Sequence, residues 1–305
     1  MIDPIILFGP TAVGKTETSV ALAKKINGEI ISADSMQVYR RMDIGTAKPT
    51  KEQRKEIPHH LIDVVDPDEE WTVSDFIEKA NYLIGQIKEK GKTPIIVGGT
   101  GLYLNAFING YSFPIAAKDD VIRNKLEMLE TPDLYSRLKE IDPDAAVKIN
   151  ANDKKRIIRA LEVYEQTGIP ISKLQVKTPH AASLRLLCLT MDRPLLYDRI
   201  NQMVRDMIKT GLIDEVQSLL DKCYGKNLNS MQALGYKETI GYLENKYDLA
   251  EMTELIKRRT RNFARRQLTW FRKFKDVVWI ENTGENPIDT ANRLSEEPGF
   301  NCLKA

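Results

Sequence analysis

Cysteine is scarce in this chain. Cys188, Cys223 and Cys302 are the only three among 305 residues, too few and too widely spaced to draw a disulfide framework or a C-x-x-C metal pair. Long apolar runs are also missing. Ile5–Phe8 and Ile95–Val97 fall far short of the roughly 18 consecutive apolar residues that span a bilayer, so no membrane association is expected. Met1-Ile2-Asp3-Pro4 has neither the basic flank nor the apolar stretch of a secretory signal, and the expected compartment is the cytoplasm. A surplus of either charge is absent as well: 45 Lys and Arg stand against 43 Asp and Glu, a formal +2. That balance does not announce a nucleic-acid binder, but an average can hide a local stripe. What remains, at 42% apolar and 29% charged, is the composition of an ordinary globular protein, long enough for about two domains.

Three short apolar stretches set the architecture. Pro4–Phe8 runs into Gly9, Glu29–Ala33 into Asp34, and Thr93–Val97 into Gly98-Gly99-Thr100-Gly101. Continuous runs of this length, separated by helix-compatible segments, predict a parallel sheet with helices on its faces and ligands at the carboxyl ends of the strands. Between about 115 and 180 the chain turns charged and helix-rich, with stops at Thr131-Pro132, Asp142-Pro143 and Gly168–Pro170 and no convincing strand. Ser183–Met191 then returns to the sheet. The expected organisation is therefore a phosphate-loop α/β core of residues 1–114 and 181–305, interrupted by an all-helical subdomain of residues 115–180. Helices are expected near 194–221 and 247–275, and an edge strand at Val277–Ile280. The polar tail beyond carries no motif.

Gly9-Pro10-Thr11-Ala12-Val13-Gly14-Lys15-Thr16 fits G-x-x-x-x-G-K-[ST] without exception, after a strand and before a helix. Its backbone N–H groups can wrap a diphosphate or triphosphate at the positive end of a helix. Lys15 supplies a point charge to the phosphate oxygens, and the Thr16 hydroxyl suits Mg²⁺. A nucleotide hydrolase would also need a strand ending in a magnesium-holding carboxylate, and here the third strand ends in glycines; Leu61-Ile62-Asp63 reads as a short connection. Asp34 is the more suggestive carboxylate, placed at a strand end as either a general base, a metal partner or a helix N-cap. Thr100 is a hydroxyl on a backbone that a ligand can approach closely. Between Lys257 and Lys275 lie nine basic residues and no acidic one, with Ile256, Phe263, Trp270 and Phe274 at helical spacing to anchor the opposite face. That stripe, with Lys154-Lys155-Arg156 and Arg159, is expected to contact a phosphate backbone. His59-His60 reads as structural, because adjacent residues on a strand point apart and the only other histidine is His180.

In combination these segments resemble the bacterial tRNA dimethylallyltransferases. The matching blocks are GPTAVGKT at 9–16, ISADSMQVYRRMDIGTAKPT at 31–50, IPHHLIDVVDP at 57–67, VGGTGLYLNA at 97–106, NDKKRIIRALEVYEQTGIPIS at 152–172, LYDRI at 196–200, MQALGYKE at 231–238 and TRNFARRQLTWFR at 260–272. They cover nearly the whole chain. The resemblance implies transfer of the dimethylallyl group of dimethylallyl diphosphate to N6 of the adenosine just 3′ of the anticodon in tRNA. It implies Asp34 as the base, with Lys15 and Thr100 also catalytic. Gly9, Thr11, Ala12, Val13, Gly14, Lys15, Thr16 and Arg199 would hold the diphosphate, with Mg²⁺ on Thr16. Asp34, Ser35, Met36, Gln37, Thr100 and Arg123 would touch the tRNA near its target base, and Lys155, Arg156, Arg159, Arg261, Arg265 and Arg266 its anticodon stem-loop.

Two departures accompany the resemblance. The family often carries a second arginine four residues after Arg199, where this chain has Met203; Arg205 is about 200° further round a helix and a poor substitute. The Cys and His pairs of the zinc finger seen in eukaryotic members are absent. No obligate protein partner is implied, and a monomer is the default. The alternatives are an adenylate prenyltransferase acting on AMP, ADP or ATP, a phosphate-loop small-molecule kinase, and a non-catalytic RNA-binding protein.

Overall fold

The computed structural model describes residues 3–111, 118–174 and 184–296. The chain divides into two compact units, one of Met1–Ile108 with Ala181–Ala305, the other of Asn109–His180. The boundaries expected at 114/115 and 180/181, together with Ser183 and the last residues of the polar tail, lie outside the described residues.

In the larger unit the first half runs β1 (Ile5–Phe8), α1 (Lys15–Lys25), β2 (Gly28–Ala33), α2 (Lys51–Glu56), β3 (His59–His60), α3 (Val73–Glu89), β4 (Thr93–Gly98) and α4 (Gly101–Ile108). The smaller unit follows with α5 (Asp120–Glu127), α6 (Thr131–Ile141), α7 (Pro143–Lys148), α8 (Lys154–Thr167) and α9 (Ile171–Leu174). The larger unit resumes with β5 (Arg185–Thr190), α10 (Arg193–Lys209), α11 (Leu212–Asp221), α12 (Tyr236–Leu243), α13 (Leu249–Phe271), β6 (Val277–Glu281) and α14 (Pro287–Glu296).

The six strands found among the described residues form one parallel sheet in the order β3-β2-β4-β1-β5-β6. Every residue of β1 and β2 is buried, which explains why β1 reads as an unbroken apolar run rather than an alternating one; β2 also buries Glu29 and Ser32. One core cluster joins Leu7, Leu22, Ile30, Leu187 and Ile200; a second, on the other face, joins Phe8, Ile31, Phe76, Phe107 and Phe271. Because β4 and β5 flank β1 on either side, the chain reverses direction across the sheet at β1. The loop after β1 therefore opens into the crevice where ligands of such sheets bind.

Two expected helices end differently. The stretch near 194–221 is two helices, α10 and α11, parted at Gly211, whose φ of 106° no other residue type adopts readily. The stretch near 247–275 begins at a capping box, in which Asp248 accepts from the Glu251 backbone, and stops at Phe271. Its buried side is Met252, Ile256, Lys257, Thr260, Ala264, Gln267 and Phe271. The expected anchors Phe263, Trp270 and Phe274 are only half-buried, so the helix turns a partly polar face inward.

The smaller unit has its own core, made by Leu126, Leu134, Leu138, Ile157, Ile158 and Leu161. Within it Glu162 is fully buried. It accepts two hydrogen bonds from Arg123, at 2.8 and 3.0 Å, one from Arg159 at 2.6 Å and one from the Asp119 backbone at 2.8 Å. Burial pushes the Glu162 carboxyl up, but these four donors outweigh it and hold it below its ordinary value.

Candidate active site

The loop between β1 and α1 curls so that the helix begins at Gly14, with φ 94°, and Ala12 also lies in the left-handed region, with φ 63°. A Cβ at Gly14 would sit 2.9 Å from the Asn282 side-chain nitrogen and 3.7 Å from an Arg199 guanidinium nitrogen. Glycine is thus required there both by the backbone angle and by the close approach of two side chains. The Lys15 ammonium folds back onto the loop, donating to the Gly9 and Pro10 carbonyls at 2.9 and 2.8 Å. Burial brings its pKa down to about 8, against the opposing pull of Asp34.

Asp34 ends β2 beside this loop. Its Oδ1 accepts from the backbone N–H groups of Met36 at 2.8 Å and Gln37 at 3.3 Å. The helix N-cap that the sequence left open is not formed, because a turn and not a helix follows; the carboxylate caps that turn with one oxygen only. Burial raises the Asp34 pKa, and the two backbone donors and the Lys15 charge oppose that rise. Thr100 stands next to it: its hydroxyl accepts from the Ser35 backbone at 3.0 Å and donates to the Ser35 hydroxyl at 3.3 Å.

Lys15, Thr16, Asp34, Gln37, Arg199 and Gln267 line a single cavity of about 790 Å³, whose wall also includes Ile44, Met203, Met207 and Phe263. The wall mixes cationic, acidic and polar side chains with these apolar ones. The loop 43–47 over this cavity is held by Glu215, which accepts from the backbone of Asp43, Ile44 and Gly45 at 2.9, 2.8 and 3.1 Å and from the Tyr236 hydroxyl at 2.5 Å. The Lys48 ammonium, almost fully buried, ties the same loop to Asp63 at 2.7 Å and to the Tyr39 carbonyl at 2.5 Å. Asp63 also pairs with Arg54 at 2.6 Å, consistent with a connecting rather than a metal-holding carboxylate.

The profile of the family described as IPP transferase matches residues 37–274, and that described as isopentenyl transferase matches residues 3–67. The chain belongs to the IPP transferase family. It is 50% identical over 298 residues to the tRNA dimethylallyltransferase of Alkaliphilus oremlandii, covering 96% of this chain and 94% of that one. To the tRNA dimethylallyltransferase of Carboxydothermus hydrogenoformans it is 51% identical over 304 residues, 97% of each. Among solved structures it resembles the tRNA isopentenylpyrophosphate transferase of Bacillus halodurans, at 44% identity and TM-score 0.71, covering 97% of this chain and 96% of that one. A eukaryotic dimethylallyltransferase acting on tRNA matches at 30% identity and TM-score 0.82, covering 99% of this chain and 78% of that one.

Arg199 lies beside the phosphate loop, and Met203 faces the same cavity. Arg205 does not replace the missing arginine: its guanidinium is bound to the Gln202 side chain at 2.7 Å. Among the other basic positions, Lys155, Arg156, Arg265 and Arg266 are exposed. Arg261 donates to the Asn201 side chain at 2.6 Å, and Arg123 and Arg159 are tied to Glu162.

Two residues that sequence reasoning passed over brace the phosphate loop. Gln267 accepts from the Thr11 backbone N–H at 2.9 Å and donates to the Gly99 carbonyl at 2.9 Å. One buried amide thus joins the loop after β1 to the loop after β4, and a Cβ at Gly99 would collide with it. Asn282, just past β6, donates to the Val13 carbonyl at 2.8 Å and accepts from the Gly284 backbone at 2.9 Å. The only signal for Gln267 was its place among buried positions of a helical pattern; Asn282 had none.

Proposed function

We propose that the protein transfers the dimethylallyl group of dimethylallyl diphosphate to N6 of the adenosine 3′-adjacent to the anticodon of tRNA, in the cytoplasm, and releases diphosphate. The observation that carries this reading is the single cavity that holds both an anion-binding loop and a carboxylate of raised pKa. Relatives sharing about half of the sequence are named tRNA dimethylallyltransferases, which supports it.

In this scheme the diphosphate lies against the N-terminus of α1, on the loop 9–16, with Lys15 and Arg199 facing its oxygens. The prenyl chain lies against Ile44, Met203, Met207 and Phe263. The acceptor adenine must leave its stack to enter, as base-modifying enzymes require. N6 attacks the first carbon of the prenyl group as the carbon–oxygen bond to diphosphate breaks, and the N6 proton passes to Asp34. Lys15 and Arg199 meet the charge that grows on the leaving oxygens. Thr100, through Ser35, fixes the turn that carries Asp34.

Mg²⁺ suits this donor set. No group of three His, Cys, Asp or Glu side chains gathers into a metal site among the described residues, so the ion would be held by the Thr16 hydroxyl and the diphosphate oxygens, offsetting their charge. The tRNA would be held by exposed cations: Lys155 and Arg156 of the smaller unit, Arg265 and Arg266 of the larger. Arg123, Arg159 and Arg261 would contribute only the guanidinium edges that their in-chain partners leave over.

Mixing the protein with dimethylallyl diphosphate, Mg²⁺ and either unmodified tRNA or AMP, ADP or ATP tests the proposal. Diphosphate release is expected with tRNA alone and without ATP consumption. Release on the mononucleotides instead would place the enzyme among adenylate prenyltransferases.

Replacing Gln267 by Leu strands the Thr11 N–H and the Gly99 carbonyl, a loss of about 1–3 kcal/mol. Expressed in the transition state, it lowers kcat/KM for the donor by roughly 10- to 100-fold. Steady-state kinetics on Gln267→Leu, with its thermal midpoint as a control for folding, would measure this; an unchanged kcat/KM would show that the loop holds its shape without the amide.

A further inference from the structure

A second cavity, of about 600 Å³, lies on the other side of α13 from the phosphate loop. Phe263 and Gln267, four residues apart on one face of that helix, line the first cavity, whereas Arg265 and Leu268, turned away from that face, and Arg272, just past the helix end, line the second. The two cavities share no lining residue. Arg193 and Tyr197 from the start of α10 and Trp279 from the edge strand β6 also line the second one, and none of its lining residues is acidic.

Three arginines therefore line one concave surface. Among the described residues none of the three has a carboxylate partner, and the Arg193 group rests over the Tyr197 ring at 5.2 Å. Trp279 is 42% exposed, a large apolar ring left open to water beside them. Like charges gathered in a hollow repel one another until an anion neutralises them, and an open indole gains when a flat ring covers it. The ligand chemistry that answers both is a planar base joined to a phosphate, and the volume lies in the range of sites for such molecules.

We infer that this cavity receives an unstacked nucleotide of the RNA substrate, its base against Trp279 and its phosphates facing Arg193, Arg265 and Arg272. The inference rests on the proposed function, because drawing the target adenine into the first cavity disrupts the stack of the bases beside it, and aromatic platforms take up such bases in single-stranded RNA. Charge complementarity chooses RNA over an apolar partner. A free nucleotide shares the same chemistry and is separated by the test.

The test measures the Kd of a labelled anticodon stem-loop RNA at fixed salt, together with the donor KM, for wild type, Trp279→Ala, Trp279→Phe and Arg272→Ala. Trp279→Ala is expected to raise the RNA Kd about tenfold, leaving the donor KM unchanged, and Trp279→Phe to restore most of the affinity. Arg272→Ala, at an exposed position, is expected to weaken binding and to lower the salt slope by about one unit. RNA affinities within twofold of wild type for both alanine variants would overturn the assignment. So would AMP binding that depends on Trp279 while RNA binding does not, which would make the cavity a free-nucleotide site. If wild type prenylates tRNA and the variants bind it equally well, this inference alone fails. If wild type neither binds nor prenylates tRNA, the functional reading fails and takes the inference with it.

Discussion

Asp34→Asn is expected to lower prenyl transfer by about 10²- to 10⁴-fold, the range for losing a general base, while tRNA affinity stays within a few-fold of wild type. The amide keeps the oxygen that accepts from Met36 and Gln37, so the turn survives and only the proton acceptor is lost. Single-turnover transfer and RNA binding, measured on the same preparation, separate the two effects. Near-normal turnover would remove Asp34 from the chemistry and leave it as the cap of a turn. The pH profile adds an independent check. Burial raises the Asp34 pKa, and the base must be ionised to work. Activity therefore falls as pH drops through a value above that of an ordinary carboxylate, and this limb disappears in Asp34→Asn.

The second large effect is at Lys15. Lys15→Met removes the cation facing the leaving group and is expected to reduce kcat/KM for the donor by about 10²- to 10³-fold, as for loss of one preorganised charge-stabilising donor. The free enzyme's Lys15 has a pKa of about 8, lowered by burial, and only its protonated form attracts the diphosphate. Above the acid limb set by Asp34, kcat/KM for the donor therefore declines as pH rises through about 8, and donor binding near pH 8 takes up a proton. Lys15→Arg keeps a charge at every accessible pH, so it should be slower, because a planar guanidinium does not fit the ammonium's place, but should lose the alkaline decline. An identical decline in Lys15→Arg would assign that limb to another group.

The parts of this molecule that were legible in the sequence are those written locally. The loop 9–16, the strand ends at Asp34 and Thr100, and the buried strands announce themselves within eight or ten residues, because backbone geometry and burial act at that range. The bracing residues do not. Gln267 meets Thr11 across 256 positions and Asn282 meets Val13 across 269, and no short-range pattern marks either. Part of the basic stripe is taken up within the chain. Lys257 pairs with Glu254 and Arg259 with Glu238, Arg261 bonds Asn201, and such partners set which cations are left for RNA. Arg123 and Arg159 repeat the case in the smaller unit, where both serve a buried glutamate. Gly211 differs: it is a helix stop of the usual kind, passed over because apolar spacing continues on either side of it.

In the proposed reaction one cavity brings a prenyl diphosphate and an RNA adenine together. The most direct test is mass spectrometry of the nucleosides from unmodified tRNA after incubation with the protein, Mg²⁺ and dimethylallyl diphosphate, with AMP, ADP and ATP run in parallel. A dimethylallyl mass gain is expected on adenosine from tRNA and none on the free nucleotides. A gain confined to the free nucleotides, or no gain with folded protein, would contradict it.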